Sequence, residues 1–228
     1  MLTKTRFAFD TQNILPLLDR VQWDAKNRCQ LNTPTGNWLY DPYTIKSEWQ
    51  GTVFQEILDQ LAEDYPVGEA RLIKLQPGTC YPSHTDVDDR LHINIVGNDQ
   101  SYLIDLDHQT FYKTQSDNTV YYMDASNRHV AANFGSYDRI QLVIRVRLPR
   151  VYDQSFELRT LKFTKVYDRF RYDFDNNISP VISNYIKQSQ IGFFDVINDV
   201  EIKILSEQNV FEDVVAKIKT INKDFEIV

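Results

Sequence analysis

Apolar residues early in the chain recur at the spacing of one helix face. Between Ser47 and Asp64 they stand at positions 49, 53, 54, 57, 58 and 61. Steps of three and four residues are typical of an amphipathic helix. Tyr65-Pro66 and Gly68 then interrupt the pattern. The sequence therefore predicts a helix here, whose apolar face covers a sheet.

From residue 69 to residue 148 the pattern becomes a series of short apolar runs separated by turn-forming residues. The predicted strands are "EARLIKLQ" (69–76), "LHINIVG" (91–97), "SYLIDL" (101–106), "TFYKT" (110–114), "TVYYMD" (119–124), "HVAANF" (129–134) and "RIQLVIRVRL" (139–148). Closely spaced strands with tight turns indicate an antiparallel sandwich or barrel, not alternating βαβ units. We predict a mostly β fold with flanking helices and a jelly-roll core of the double-stranded β-helix, cupin-like type.

The last third of the chain has a different pattern. Ser179-Pro180 is a helix cap followed by proline at a first helical position. Ser206 to Asn222 carries a second helical stripe, which we interpret as a helix packed on its own domain. We therefore expect a β domain at 1–150, with a covering helix near its N-terminus, and a mainly helical extension at 151–228.

Composition narrows the function classes. The chain is 42% hydrophobic, with a formal charge of -7 that gives no support to a nucleic-acid partner. No apolar run approaches the ~20 residues of a membrane span, and "MLTKTRFAFDTQ" lacks the apolar core of a secretory signal, so we expect a cytoplasmic protein. Cys29 and Cys80 are too few for a disulfide framework, and we predict that both are reduced packing residues.

Candidate metal ligands occur in the segment "YPSHTDVDDRLHIN", residues 81–94. His84 and Asp86 flank Thr85, so an extended backbone places both side chains on one face. His129 begins a later predicted strand and is a candidate third ligand. Two histidines and one carboxylate form the facial triad of non-haem Fe(II) sites, which leaves coordination positions open.

Strand alternation also predicts a polar face next to these residues. On "RIQLVIRVRL", Arg139, Gln141 and Val143 share one face, and the opposite face is continuously apolar. By the same alternation His92 and Asn94 point away from the apolar neighbours of their strand. A guanidinium on such a face suits a carboxylate ligand. Arg145 has the same parity as Arg139 and is the alternative candidate.

At this point the chain becomes similar to a known family. Residues 71–148 resemble the Fe(II)/2-oxoglutarate-dependent oxygenases, and among them the aspartyl/asparaginyl β-hydroxylase-like family, which includes hydroxylases of free proline. The segments that carry the resemblance are "RLIKLQPGTCYPSHTD", "RLHINI" and "VYYMDASNRHVAANFGSYDRIQLVIRV". The positions that match the family pattern are Leu75, Pro77, Gly78, His84, Thr85, Asp86, Arg90, His92, Met123, Asp124, Ser126, His129, Asn133 and Arg139.

The resemblance implies both the reaction and the roles of the residues. His84, Asp86 and His129 would hold Fe(II), Arg139 would bind the distal carboxylate of the cosubstrate 2-oxoglutarate, and Arg90 and His92 would help to hold cosubstrate or substrate. The implied enzyme is a dioxygenase that uses O2 to hydroxylate an amino acid, free or in a peptide, and converts 2-oxoglutarate to succinate. The substrate and the oligomeric state are not predicted.

Two other functions fit the same residues. A cupin-like enzyme could use the three ligands for a divalent metal without 2-oxoglutarate, in which case Arg139 would be dispensable. A non-catalytic β-sandwich module would have structural histidines only. Tyr121, Tyr122, Trp38 and Tyr40 could contribute to the site, although aromatic residues in a globular protein are more often part of the core.

Overall fold

The computed structural model describes residues 2–35, 42–86, 88–125, 127–146, 156–164, 174–187, 191–197 and 201–228. By their contacts the residues form two units, Met1–Pro82 with Asp88–Arg147, and Ser83–Val87 with Leu148–Val228. Within the described residues no helix is both long and apolar enough to cross a bilayer.

The first unit is built mainly from strands. Among the described residues, four strands precede its helix: β1 (Leu2–Ala8), β2 (Arg28–Gln30), β3 (Asn32–Pro34) and β4 (Tyr43–Ile45). Eight follow it: β5 (Val67–Leu75), β6 (Thr79–Cys80), β7 (Arg90–Val96), β8 (Ser101–Asp105), β9 (Thr110–Lys113), β10 (Thr119–Met123), β11 (His129–Asn133) and β12 (Arg139–Val146). Of these eight, the seven longer strands coincide with the predicted ones to within three residues at either end. The two-residue strand β6 is not among the predicted strands.

The strands β5 to β12 are divided between two antiparallel sheets. The six-stranded sheet has the order β1-β10-β7-β12-β5-β2, and the four-stranded sheet has the order β6-β11-β8-β9. Successive strands therefore alternate between the sheets, except for the hairpin β8–β9. This is the strand order of a jelly roll with two Greek keys. The predicted mostly β architecture with flanking helices is confirmed.

One face of the six-stranded sheet, which we call the outer face, packs on the helix α1 (Val53–Leu61). Its alternating residues are fully buried, and they include Leu72, Leu91, Ile93, Leu142 and Ile144. The predicted helix from Ser47 is split in two, because Gly51 at φ +67° interrupts it between a 3-10 turn (Ser47–Trp49) and α1. A positive φ is a conformation that glycine adopts without a Cβ clash.

In the part that the structure describes, the second unit combines two helices with a sheet. Its helices are α2 (Ser179–Lys187) and α3 (Gln208–Ile221), close to the two predicted helices. Its strands are β13 (Glu157–Phe163), β14 (Ile191–Ile197), β15 (Glu201–Ser206) and β16 (Phe225–Ile227), in the order β14-β15-β13-β16.

The expectation of a mainly helical section therefore overlooked this sheet. In β15 the buried Ile202 and Ile204 alternate with Glu201 and Lys203, which is a strand pattern, but a helix cap and a longer helical stripe flank this short segment in the sequence.

Both cysteines are free. Cys29 is half-buried in the core of the first unit, as predicted, and burial raises the pKa of its thiol. Cys80 is exposed on the short strand β6, so its prediction as a packing residue is wrong.

Candidate active site

The segment with the HTD motif follows directly after β6. Gly78, at φ +68°, makes the turn between β5 and β6, and its N–H donates to the carbonyl of Asn133 on β11. Tyr81 N–H donates to the carbonyl of Ala131 at 2.9 Å, so the β6–β11 pairing continues one residue past the strand. This register carries the chain past Tyr81 toward the start of β11, where His129 lies.

The structure brings the three predicted metal ligands together. One ligand atom from each of His84, Asp86 and His129 lies within 4.8 Å of the other two. His129 is 5% exposed, and His84 and Asp86 are half-buried. Ligand atoms at this separation can coordinate one divalent ion, and two imidazoles with one carboxylate suit Fe(II).

The protonation of His129 is set by the backbone. Its Nδ1 lies 2.8 Å from the carbonyl oxygen of Asn127, which can only accept a hydrogen bond. The proton therefore belongs to Nδ1, and the lone pair of the neutral ring belongs to Nε2. A histidine that donates one ring N–H to a backbone carbonyl and presents the other nitrogen to a metal is the usual arrangement in protein metal sites.

Asp105 is a buried carboxylate that the sequence analysis did not identify. It pairs across the strands with His129, and its oxygens accept hydrogen bonds from the backbone N–H groups of Asp107 and His108. Burial favours a higher pKa for Asp105, but the hydrogen bonds from the backbone and the ring of His108 outweigh it, and the pKa lies below its ordinary value. Its position in the middle of "SYLIDLDH" resembles that of a strand-end turn residue, so the sequence held no signal for it.

Arg139 begins β12 and is buried, at 3% exposure. It lies on the face of the six-stranded sheet opposite to the outer face, which we call the inner face. Its guanidinium donates to the carbonyl of Tyr102 at 3.3 Å and to Oε1 of Gln141. Burial lowers the pKa of Arg139 to about 10, against a smaller opposing effect of Tyr81, so the side chain remains a cation at neutral pH.

The surroundings of Arg139 fit an anionic ligand. Within the described part of the chain, the buried Nε of Arg139 has no hydrogen-bond acceptor. The ionisable group that affects the pKa of Arg139 electrostatically is the phenol of Tyr81, not a carboxylate. A buried cation is costly unless it is paired. A bound carboxylate would supply both the opposite charge and the missing acceptor, because guanidinium and carboxylate pair through two parallel hydrogen bonds.

Arg90 and His92 lie on the same inner face. Both are buried on β7, at 5% and 8% exposure, and in the ladder with β12 they stand opposite Arg145 and Val143. Arg90 Nη1 donates to the backbone carbonyls of Asp88 and Asp89 at 2.5 and 3.1 Å. Arg90 therefore stabilises the start of its own strand, and its predicted contact with cosubstrate or substrate stays a prediction.

The other residues considered from the sequence have different environments. Arg145 forms a 3.4 Å ion pair with the buried Asp88, whereas no such pair with a carboxylate is found for Arg139 among the described residues. Tyr122 stacks on Tyr65 beneath the outer face, which is a core position. Tyr121 hydrogen bonds to Asp117, and burial together with that carboxylate raises its pKa to about 12. Trp38, Tyr40 and Ser126 lie outside the described residues.

Asn133, which matches the family pattern, has hydrogen bonds that show what its side chain connects. It is fully buried, and its Nδ2 donates to the carbonyls of Leu75 and Tyr137, both at 2.9 Å. Its Oδ1 accepts from the N–H of Gly135 and the hydroxyl of Ser101, both at 3.0 Å. One amide therefore joins the end of β5, the start of β8 and the turn that leads into Arg139.

Comparison with known proteins agrees with this geometry. The family model of aspartyl/asparaginyl β-hydroxylase matches residues 50–149. A search among curated proteins found no match. Among solved structures, an oxidoreductase of the 2OG-Fe(II) oxygenase family from Burkholderia pseudomallei is 12% identical with a TM-score of 0.50, over 65% of this chain and 84% of that one.

A second solved structure is the viral collagen prolyl hydroxylase vCPH from Paramecium Bursaria Chlorella virus-1, in a 2OG complex. It is 12% identical with a TM-score of 0.45, over 64% of this chain and 95% of that one. At 12% identity the likeness to the Burkholderia oxidoreductase concerns the fold. Over residues 50–149 the chain is similar to the aspartyl/asparaginyl β-hydroxylase family, and the resemblance carried by its HTD, RLH and MDASNRH segments is confirmed.

Proposed function

We propose that the protein is an Fe(II)- and 2-oxoglutarate-dependent dioxygenase that hydroxylates an amino acid, either free or as a residue of a peptide. The observation that carries this proposal is the convergence of His84, Asp86 and His129 within 4.8 Å. The family match over residues 50–149 supports the same reaction class. Residues 1–150 would be the oxygenase domain and 151–228 an extension of it.

The iron would be held by the two imidazoles and the Asp86 carboxylate. Three protein ligands leave the remaining positions for 2-oxoglutarate and O2. When bound, these groups supply the oxidising chemistry, in which one oxygen atom enters the substrate and the other enters succinate as 2-oxoglutarate loses carbon dioxide. No protein side chain has to act as a nucleophile, because the cofactor carries the reaction.

The tasks of the protein are binding, orientation and exclusion of water. Arg139 would pair with the distal carboxylate of 2-oxoglutarate, and Gln141 holds the guanidinium from one side. Gln141 is held in turn by Asn94 across the ladder. Because all three side chains are nearly fully buried, they are preorganised and act where water does not weaken the ion pair. Arg90 and His92 would line the same space.

The test is metal-dependent turnover of 2-oxoglutarate in a pair of histidine variants. Purified protein should form succinate from 2-oxoglutarate only with Fe(II), and His129→Ala should abolish both this turnover and stoichiometric iron binding. His108→Ala is the matched control, because that ring is largely exposed and lies outside the ligand cluster. It should retain iron and turnover.

Two outcomes would contradict the proposal. Turnover that persists in His129→Ala would remove this residue from the reaction. Iron binding without any use of 2-oxoglutarate would favour the cupin-like metal enzyme, and protein that binds no metal at all would favour a binding module.

A further inference from the structure

Two of the three candidate ligands lie on a segment that is anchored by a residue far away in the sequence. Ser83 immediately precedes His84. Asn176 Nδ2 donates to the backbone carbonyl of Ser83 at 3.0 Å, and its Oδ1 lies 3.3 Å from the Ser83 hydroxyl. One side-chain amide therefore holds both the backbone and the side chain of the residue before the HTD motif.

Asn176 is itself held by its helix. It lies in a π-helical turn, Phe174–Ile178, that runs directly into α2. Phe174 and Ile178 are 5% and 0% exposed in the core of the second unit, so both ends of the turn are fixed. Single π-helical turns occur frequently at functional sites, because they re-aim one side chain without ending the helix. Asn176 is half-buried and directed at Ser83.

The wider contacts point the same way. Residues 83–87 group with 148–228, although the chain on either side of them, up to Pro82 and from Asp88, groups with the jelly-roll unit. The segment that carries His84 and Asp86 thus leaves the strands that flank it in sequence and is held by the C-terminal section. Among the described residues of this segment, His84 makes an isolated β-bridge and none belongs to an extended strand.

We propose that Asn176 is a positioning residue for the metal centre. By fixing Ser83 it would order the backbone of His84 and Asp86 before the metal binds. Metal binding would then lose less conformational entropy, and its affinity would be higher. The proposal rests on the function proposed above, and it gives the C-terminal section a defined task in that function. Loss of residues that orient metal ligands typically weakens metal binding ~10–100-fold.

The experiment compares Asn176→Ala with Asn177→Ala in the full-length protein. The two asparagines are neighbours in the same turn, and Asn177 is exposed. Mn(II) affinity is measured by calorimetry under argon, and the unfolding temperature of each metal-free protein is measured alongside. We expect Asn176→Ala to bind Mn(II) roughly tenfold more weakly at an unchanged unfolding temperature, and Asn177→Ala to match the wild type.

A second readout separates positioning from a direct role in the chemistry. Succinate formation by Asn176→Ala should recover as Fe(II) is raised, because the ligands themselves are intact, whereas His84→Ala should show no recovery. Equal Mn(II) affinity of wild type and Asn176→Ala would overturn this inference. Absence of Mn(II) binding in the wild type would instead overturn the proposed function.

Hydrogen exchange provides a test that needs no variant. In metal-free wild-type protein, the exchange rates of the amides of residues 83–86 should rise at the same low denaturant concentration as those of α2. The amides of β5 and β7 should begin to exchange faster at a different concentration. If residues 83–86 exchange together with β5 and β7, the segment is ordered by the jelly roll and the inference fails.

Discussion

The two faces of the six-stranded sheet are made from alternate residues of the same strands, and both are buried, but they are built for different tasks. On β12 the outer residues Leu142 and Ile144 are fully buried against α1. The inner residues Arg139 and Gln141 are almost as buried, at 3% and 2%, yet one is a cation and the other an amide.

The difference indicates that the outer face stabilises the fold, whereas the inner face carries the polar side chains of the candidate site. Burial of apolar outer residues is the dominant stabilising term of such a fold. Burial of Arg139 opposes folding unless a partner is supplied, and its Nε has no acceptor among the described residues. Buried polar groups of this kind are found where a protein binds or reacts. The comparison can be tested by changing neighbours on opposite faces of one strand.

The largest effect is expected on the outer face. Leu142→Ala should lower the free energy of unfolding by about 2–5 kcal/mol, because it leaves a cavity in the core beneath α1. The affinity of the remaining folded protein for 2-oxoglutarate should be unchanged. Urea unfolding and calorimetry measure the two quantities. Ile140→Ala changes a half-buried residue of the same face and should lower the free energy of unfolding by less. An equal decrease in both variants would show that the full burial of Leu142 makes no difference.

On the inner face the effects should be reversed. Arg139→Met should weaken 2-oxoglutarate binding to the Mn(II) protein by about 2–5 kcal/mol, which is roughly thirtyfold or more, because the carboxylate loses a buried charged partner. The free energy of unfolding should stay the same or rise, since an unneutralised buried charge is removed.

Arg145→Met is the control for that prediction. It removes the partner of Asp88 and should lower stability, while it leaves 2-oxoglutarate affinity near the wild-type value. If Arg145→Met weakened 2-oxoglutarate binding and Arg139→Met did not, the assignment of the two arginines would be exchanged.

The smallest effect follows from pH. Since burial lowers the pKa of Arg139 to about 10, the guanidinium of the free protein loses its charge as the pH rises through 10. The affinity for 2-oxoglutarate should therefore fall at higher pH, by up to about tenfold per unit. Calorimetry from pH 8 upward checks this. A constant affinity through pH 10.5 would argue against a role for the Arg139 charge.

Stability should respond to the same titration with the opposite sign. The folded pKa of Arg139 lies below its unfolded value of 12.5, so the unfolded chain binds more protons between these two values. The contribution of this group to stability therefore increases as the pH rises from 10. Arg139→Lys should bring the loss of 2-oxoglutarate affinity to lower pH, because an ammonium group has a lower pKa than a guanidinium.

Some features of the candidate site could be predicted from the sequence because they depend on local geometry. His84 and Asp86 are two residues apart in an extended segment, and Arg139 and Leu142 are on opposite faces of one strand. Alternation alone places such residues. The strands of the jelly roll were likewise predicted from apolar runs and turn residues, since strong local periodicity reports secondary structure directly.

Other features depended on contacts between distant parts of the chain. The sheet of the C-terminal section was missed, although β15 alternates clearly, because helix signals flank it on both sides. The partners that Asn133 and Asp105 have on other strands were also not predicted, since those contacts depend on strand pairing.

The sequence by itself determined which residues alternate toward each face of the strands, where the turns fall, and which side chains have the chemistry to hold a metal and a carboxylate. Only the tertiary structure decided that His129 meets His84 and Asp86, and that Asn176, 93 residues from Ser83, anchors the segment that carries them. The reason is physical. Side-chain direction is set by the local backbone, whereas proximity between distant residues is set by sheet register and by the packing of whole elements.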